Sequence, residues 1–427
     1  MKTPVSERLH IAILGARNSG KSSLVNAIAG HTVSLVSEIP GTTADPVSKA
    51  MEIPGTGAVV FIDTAGFDDE GELGELRVER TGKSLDRTDI AILLFRDGLR
   101  TEETNTAKGT LHCRKYGNTG VAGIYREWYR ILSDRGIRTI PVLNTCTADA
   151  LSWNTEDTGQ RTALRMEIEK LTGLEPVTVN AATGEGIQAV YDAIAAMADD
   201  RQHSRTITGD LVKPGDTVLL VMPQDSEAPK GRLILPQVQT IRELLDKGCT
   251  AVCCTPETMP AALGKLAGVP DLIITDSQAF GKVWESRPEG CRVTSFSILF
   301  AAYKGDIQAF IKGAEALDRL APGSHILIAE ACSHAPASED IGRVKIPEML
   351  KRRFGNGLQI DTVSGNDFPA DLSGYDLVIH CGACMFNRRY VLNRVASALK
   401  QGIPITNYGM TIAWATGILD KVALPGR

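Results

Sequence analysis

Short apolar runs alternate with helix-period stretches along almost the whole chain, the pattern of an α/β protein with mainly parallel sheets. Leu9–Leu14 reads as a strand, followed by a glycine-rich turn and a helix over Ser22–Ala29. Further strands are predicted at Val59–Asp63, Ile90–Phe95, Thr139–Asn144 and Pro176–Val179, and an amphipathic helix over Glu185–Ala198 closes this block. The polar stretch Asp199–Asp216 reads as a linker. A second block carries strands at Thr217–Met222, Ala251–Thr255 and Leu272–Thr275, with helices near Val238–Lys247 and Pro260–Leu266. A third carries strands at Ile326–Ala329, Leu377–His380 and Pro404–Asn407, with helices near Ile307–Leu320, Ile346–Phe354 and Arg389–Lys400. One stretch breaks the pattern. Thr104–Tyr125 is rich in Thr, Gly and Asn and reads as an irregular insertion, with helical periodicity resuming only over Arg126–Leu132.

Composition bounds these blocks. The chain has 427 residues, and at about 150 residues per domain that predicts roughly three domains. A hydrophobic fraction of 43% with 23% charged residues excludes general disorder. The net charge of −5 argues against a nucleic-acid or anionic-membrane binder. No apolar run is long enough to span a bilayer, and Met1–His10 is polar, so a cytoplasmic protein without a membrane anchor is expected. The nine cysteines are then expected to be reduced thiols or ligands.

Gly15-Ala16-Arg17-Asn18-Ser19-Gly20-Lys21-Ser22 fits G-x-x-x-x-G-K-[ST] between a predicted strand and a predicted helix. Backbone N–H groups of such a loop cradle phosphates, and the helix N-terminus adds positive potential. Gly15, Asn18, Ser19, Gly20, Lys21, Ser22 and Ser23 are therefore candidate nucleotide-binding residues. Lys21 is assigned to the β- and γ-phosphates and Ser22 to Mg²⁺. Asp63-Thr64-Ala65-Gly66 ends the second strand: Asp63 is placed to hold Mg²⁺, and Gly66 to offer its N–H to the γ-phosphate. Thr43, in Gly41-Thr42-Thr43, is a further candidate for Mg²⁺ and for closure over the nucleotide.

These motifs resemble the translation-factor-class GTPases, which include tRNA-modification and ribosome-assembly enzymes. Asn18 resembles the asparagine that helps hold K⁺ in potassium-stimulated members. Phe67 stands where Ras-like enzymes carry a water-orienting glutamine, so slow turnover is expected. The guanine motif N-K-x-D is present only as Asn144-Thr145-Cys146-Thr147, which puts guanine specificity in question. Val179–Gly186, with Ala181 and Ala182, resembles the last nucleotide motif.

The third block holds Cys332-Ser333-His334 and His380-Cys381-Gly382-Ala383-Cys384, each just past a predicted strand. Strand C-termini of parallel sheets line the ligand crevice, so thiols and imidazoles converge there. Four N/S ligands suit structural zinc, and three thiolates suit an iron–sulfur cluster with an exchangeable fourth site. Unligated packing is the third reading. Cys249, Cys253 and Cys254 are expected to pack in a core.

A potassium-type GTPase domain followed by C-x-H…H-C-x-x-C resembles the HydF family, the scaffold GTPases of [FeFe]-hydrogenase maturation. Ala228–Gln237, Asp276–Phe280, Thr294–Phe300 and Thr406–Gly409 agree with it. The resemblance implies a P-loop GTPase domain over residues 1–203 and two smaller α/β domains. These are a dimerisation domain over 204–303 and a cluster-binding, oligomerising domain over 304–427. It implies a [4Fe–4S] cluster on Cys332, Cys381 and Cys384, with His334 or His380 as fourth-ligand candidates and Glu330 as a third. It implies GTP, Mg²⁺ and K⁺ as cofactors. Its implied partners are radical-SAM maturases and apo-[FeFe]-hydrogenase, met by a homodimer or higher homo-oligomer. The function expected is a GTP-hydrolysing carrier that delivers a di-iron precursor. The alternative is a ribosome- or RNA-maturation GTPase with a zinc-binding accessory domain.

Overall fold

The computed structural model describes residues 4–31, 35–39, 47–64, 81–82, 84–96, 120–145, 155–198, 205–224, 231, 233–331, 340–365 and 367–426. The chain divides into two compact units, Met1–His203 and Ser204–Arg427.

The first unit is built on β1 (Leu9–Gly15), β2 (Leu35–Ile39), β3 (Val47–Ile53), β4 (Gly57–Asp63), β5 (Ile90–Arg96), β6 (Arg138–Asn144) and β7 (Val177–Val179). Their order is β2-β3-β4-β1-β5-β6-β7. From β4 to β7 the neighbours are parallel, and β3 runs antiparallel to both β2 and β4. Every residue of β1 is buried, as expected for a central parallel strand covered on both faces. Its side chains alternate. Ile11 and Ile13 pack with α1 (Lys21–His31) and α4 (Ile187–Ala198); Ala12 and Leu14 pack with α2 (Gly120–Asp134) and α3 (Thr155–Thr172).

Two sequence expectations change here. The helix expected from Arg126 begins at Gly120, so Gly120–Tyr125 is not part of an irregular insertion. Tyr125, Trp128 and Leu132 form one buried seam at helical spacing, which the weak helix formers Gly120 and Gly123 obscure. The rest of that stretch, 104–119, lies outside the described residues. The β2–β3 pair was not expected; β3 carries Ser48, Lys49 and Glu52 among its apolar residues, as a strand near a sheet margin does.

The second unit holds two four-stranded parallel sheets. The first comprises β8 (Thr217–Val221), β9 (Thr250–Cys254), β10 (Leu272–Thr275) and β11 (Val293–Ser295), ordered β11-β10-β8-β9. The second comprises β12 (His325–Ala329), β13 (Gln359–Val363), β14 (Leu377–His380) and β15 (Ile405–Asn407), ordered β13-β12-β14-β15. The helices are α5 (Leu235–Asp246), α6 (Met259–Leu263), α7 (Phe280–Ser286), α8 (Phe296–Lys304), α9 (Ile307–Glu315), α10 (Ile346–Phe354), α11 (Arg388–Lys400) and α12 (Tyr408–Ala415). Asp306, Asn387 and Asn407 cap α9, α11 and α12 by accepting backbone N–H bonds. The unit is knit across its length: Ala423 N–H donates to Val293 O, and Thr406 Oγ1 to Phe310 O.

The expected linker Asp199–Asp216 is only partly one. Ile207, Leu211 and Val212 are buried against Val218 and Leu220, and the Ile207 and Thr208 N–H groups donate to Glu243. Three apolar side chains inside a polar-looking stretch supply that burial. Of the cysteines expected in a core, Cys249 is buried and Cys254 half-buried, but Cys253 is exposed. It lies on β9, an edge strand none of whose residues is fully buried.

Candidate nucleotide and cluster sites

The phosphate loop lies between the carboxyl end of β1 and α1. Gly15 has no room for a side chain, since a Cβ there would lie 2.7 Å from Leu94 O. Gly20 adopts φ +95°, and its Cβ would come 2.3 Å from Asn144 Nδ2. Asn18 is left-handed at φ 59°, a conformation asparagine tolerates better than most residues. Arg96 Nη1 donates to Asn18 O at 3.3 Å. Ser19 is buried, with a hydroxyl that has no partner among the described residues. Lys21 is largely buried, and its Nζ donates to Gly15 O at 3.0 Å and Ala16 O at 2.9 Å.

Ser22 Oγ donates to Asp63 Oδ2 at 2.9 Å. Asp63 Oδ1 is buried without a partner among the described residues. Burial raises the Asp63 pKa, opposed by the Ser22 hydrogen bond and by Lys21 and Lys49. A hydroxyl in contact with a buried, half-satisfied carboxylate is a donor set that fits Mg²⁺. Thr43 and Gly66, the other residues assigned to this chemistry, lie outside the described residues, as does Phe67.

Asn144 is fully buried and joins two loops. Its Nδ2 donates to Ser19 O at 3.0 Å, and its Oδ1 accepts the Ala181 N–H at 3.1 Å. Asn180 Oδ1 shapes the last loop by accepting the Ala182 and Thr183 N–H groups. Ser23, Asn26, Ala27 and Gly30 of α1 face Ala181–Gly184 across an open cleft beside the phosphate loop. Thr145 is tied into the sheet: both its N–H and its Oγ1 bond to Val179 O. Thr147 lies outside the described residues.

Sequence reasoning missed Tyr125. Its hydroxyl accepts the Ala16 N–H at 3.1 Å and donates to Leu94 O at 2.8 Å, while its ring stacks on Phe95. It fixes the first turn of the phosphate loop from behind. Its helical spacing with Trp128 and Leu132 was the available signal.

The cysteine site is at the carboxyl edge of the β12–β15 sheet. Cys381 follows β14, and its Sγ accepts N–H bonds from Ala331 at 3.0 Å and Ala383 at 3.4 Å. Burial raises the Cys381 pKa, and the two N–H groups oppose that rise. A half-buried sulfur supplied with backbone donors is suited to carry thiolate charge when a metal compensates it. Ala383 turns the chain at φ 47° towards Cys384. Lys304, 2% exposed, donates from Nζ to Cys384 O at 3.1 Å and Phe386 O at 2.9 Å. Cys381 and Cys384 are two free thiols on this loop, of the chemistry a sulfur-ligated metal group would need.

Among the described residues, no group of three or more His, Cys, Asp or Glu is arranged to hold a metal. Cys332 and His334 lie outside the described residues. His380 is completely buried. Its Nδ1 donates to Cys381 O at 2.7 Å, and its Nε2 accepts from Arg394 Nη1 at 3.2 Å. Burial, with Arg394 adding to it, lowers its pKa to about 3, so the ring is neutral. Glu330 Oε2 accepts both Arg343 Nε and Nη2, at 3.1 and 3.0 Å, and Ser364 Oγ at 3.1 Å.

Three family models match the chain. Residues 308–425 match the hydrogen maturase F tetramerization domain, residues 207–305 the hydrogen maturase F dimerization domain, and residues 10–120 the 50S ribosome-binding GTPase model. The first unit is thus a P-loop GTPase domain. It is 42% identical over 99 residues to the tRNA modification GTPase MnmE of Chromobacterium violaceum, covering 22% of each chain. It is 46% identical over 94 residues to GTPase Der of Kosmotoga olearia, covering 21% of each. The chain therefore spans about a fifth of the length of these curated relatives. Among solved structures, Era in complex with MgGDPNP and 16S ribosomal RNA nucleotides aligns at 18% identity and TM-score 0.31. That alignment covers 60% of this chain and 97% of that one.

Proposed function

The chain belongs to the hydrogen maturase F family, and from that membership we propose that it is a GTP-hydrolysing scaffold that carries an iron–sulfur cluster. In this reading residues 1–203 bind and hydrolyse GTP with Mg²⁺ and K⁺. Residues 204–303 associate copies of the chain, and residues 304–427 hold a [4Fe–4S] cluster and associate further. Lys21 would neutralise phosphate charge, and Ser22 and Asp63 would hold Mg²⁺, with Thr43 and Gly66 assigned to the γ-phosphate and its metal from their motifs alone. Asn18 would help hold K⁺, which when bound would supply positive charge beside the phosphates. Loops that order around the γ-phosphate and relax on hydrolysis would bias partner contacts. The setting is the cytoplasm, where thiols stay reduced.

The observation that carries the cluster reading is the Cys381 sulfur, half-buried and held by two backbone N–H groups one turn before Cys384. Cys332, Cys381 and Cys384 would ligate three irons, leaving one iron for an exchangeable group. When bound, the cluster supplies that open coordination position. In this reading His380, with both ring nitrogens engaged, would orient the Cys381 loop in place of ligating iron. Glu330, held by Arg343 and Ser364, serves likewise. The partners are the radical-SAM maturases, which build a di-iron precursor bearing CO, cyanide and a dithiolate bridge, and the apo-[FeFe]-hydrogenase that receives it. The matches to both maturase-specific models favour this over an RNA-maturation GTPase with a zinc domain.

The test is iron, sulfide and zinc analysis of anaerobically purified protein, with Cys332→Ala, Cys381→Ala and Cys384→Ala beside it. Hydrogen evolution by apo-hydrogenase matured in its presence is measured in parallel. Iron and sulfide that fall in all three variants, with loss of hydrogenase activation, are expected. Zinc in place of iron, or activation without this protein, overturns the proposal.

A further inference from the structure

Tyr408 opens α12, inside the stretch Thr406–Gly409 that the reading above leaves without a role. Its place is fixed by strand register. His380 pairs with Asn407 across β14 and β15, so Cys381 and Tyr408 are the first residues beyond the paired ends of neighbouring strands. Asn407 locks this geometry by capping α12 through the Met410 N–H.

The Tyr408 side chain is buried at 9% exposure, and its hydroxyl has no hydrogen-bond partner among the described residues. Buried hydroxyls are nearly always paired, and an orphan in a native fold points to a group that completes it. The fold makes room for this one. A Cβ on Gly342 would lie 1.9 Å from Tyr408 Oη and 2.8 Å from Glu330 Oε1. Glycine at 342 therefore opens the space that the hydroxyl fills. Glu330 turns its Oε1 toward this space, while Arg343 and Ser364 engage its Oε2. Burial first, then the charges of Cys381, Glu330 and Asp340, push the Tyr408 pKa well up, against the opposing effect of Arg343. A phenol is protonated at neutral pH and so is available as a donor.

We propose that Tyr408 is the hydrogen-bond donor of the cluster pocket: its hydroxyl, seated where Gly342 carries no side chain, donates to an electron-rich acceptor held beside Cys381. This rests on the cluster-carrier reading. The acceptor is either sulfur of the cluster and its thiolates or a small anion on the open iron, and both present a lone pair to the same O–H. Tyr408 is a positioning residue that touches the bound group without ligating iron.

The experiment uses the full chain, anaerobically reconstituted, as wild type, Tyr408→Phe and Gly342→Ala. Iron and sulfide content, the spin-resonance spectrum of the reduced cluster, its reduction potential and a cyanide titration are measured. Tyr408→Phe is expected to keep its iron and sulfide. If sulfur is the acceptor, the potential without cyanide becomes more negative, because a hydrogen bond to sulfur favours the reduced cluster. If the acceptor is the anion on the open iron, that potential holds and cyanide binds about tenfold more weakly. Gly342→Ala displaces the hydroxyl and reproduces either change with the phenol still present. Should Gly342→Ala fail to fold by circular dichroism, the isosteric Tyr408→Phe decides alone. An unchanged spectrum, potential and cyanide affinity in Tyr408→Phe overturns the proposal, and so does loss of iron, which would mark the ring as structural. A wild type without iron and sulfide overturns the carrier reading and this inference with it.

Discussion

Asn144 Nδ2 donates to Ser19 O at 3.0 Å, so the end of β6 holds the phosphate loop by its backbone. The same side chain accepts the Ala181 N–H. Asn144→Ala would strand two buried groups, at about 1–3 kcal/mol each. GTP affinity measured with a fluorescent analogue should fall at least tenfold, with a lower melting temperature. Gly20→Ala should be harsher, because its Cβ would meet Asn144 at 2.3 Å and φ +95° disfavours a side chain. Near-normal nucleotide binding by Gly20→Ala would refute the loop geometry.

Asp63 sets a pH dependence. Burial raises its pKa above the ordinary 3.8, so its contribution to stability is full below that value and is lost as pH rises through the raised folded pKa. At neutral pH the ionised, partly unsatisfied carboxylate destabilises the metal-free protein, and Mg²⁺ offsets this. Asp63→Asn should raise the metal-free melting temperature at pH 7 and abolish the stabilisation by Mg²⁺ with nucleotide. Thermal scans with and without Mg²⁺ check both outcomes.

Thr145 and Thr147 replace the lysine and aspartate of the guanine motif. The aspartate pairs with guanine N1 and N2 groups, and its loss removes most discrimination against adenine. Competition binding should show a narrow GTP-over-ATP preference, widened at least tenfold by Thr145→Lys with Thr147→Asp. Strong GTP selectivity in the unmodified chain would contradict this.

Lys304 is a buried amine that donates to the carbonyls of Cys384 and Phe386. Lys304→Met removes both bonds and leaves the carbonyls unsatisfied, a cost of about 1–3 kcal/mol each. Iron should be lost to a chelator several-fold faster than from wild type, with GTP hydrolysis retained. Equal rates of iron loss would show that the amine does not hold the loop.

His380 has its pKa lowered to about 3 by burial and Arg394. A depressed folded pKa means that its stability contribution is complete above the ordinary value near 6.5 and lost as pH falls toward 3. His380→Gln should flatten the fall in melting temperature between pH 7 and pH 5. It should also retain iron, and the wild-type cluster should show no imidazole nitrogen coupling. Nitrogen coupling removed by His380→Gln would make the histidine a ligand.

Much of both sites was legible along the chain. The phosphate loop is a contiguous motif with a strand before it and a helix after it, so local chemistry suffices to read it. Asp63 and Asn144 end predicted strands and could be matched by order alone. The helix Gly120–Asp134 was half hidden because two glycines interrupt its periodicity, and with it went Tyr125. Cys253 was misplaced because strand alternation gives two faces but not which of them a neighbour covers. Ile207, Leu211 and Val212 look like a linker until Val218 and Leu220 are beside them.

The sequence by itself determined the α/β class, the nucleotide chemistry and the cysteines that could bind metal, because each rests on residue type and local spacing. Only the tertiary structure decided what surrounds His380, Glu330, Lys304 and Tyr408. Their partners are distant in sequence: Arg394 Nη1 is set against His380, Arg343 against Glu330, and Gly342 makes space for Tyr408. Whether a polar side chain is satisfied depends on which strand ends the parallel sheet brings side by side, and no local pattern encodes that.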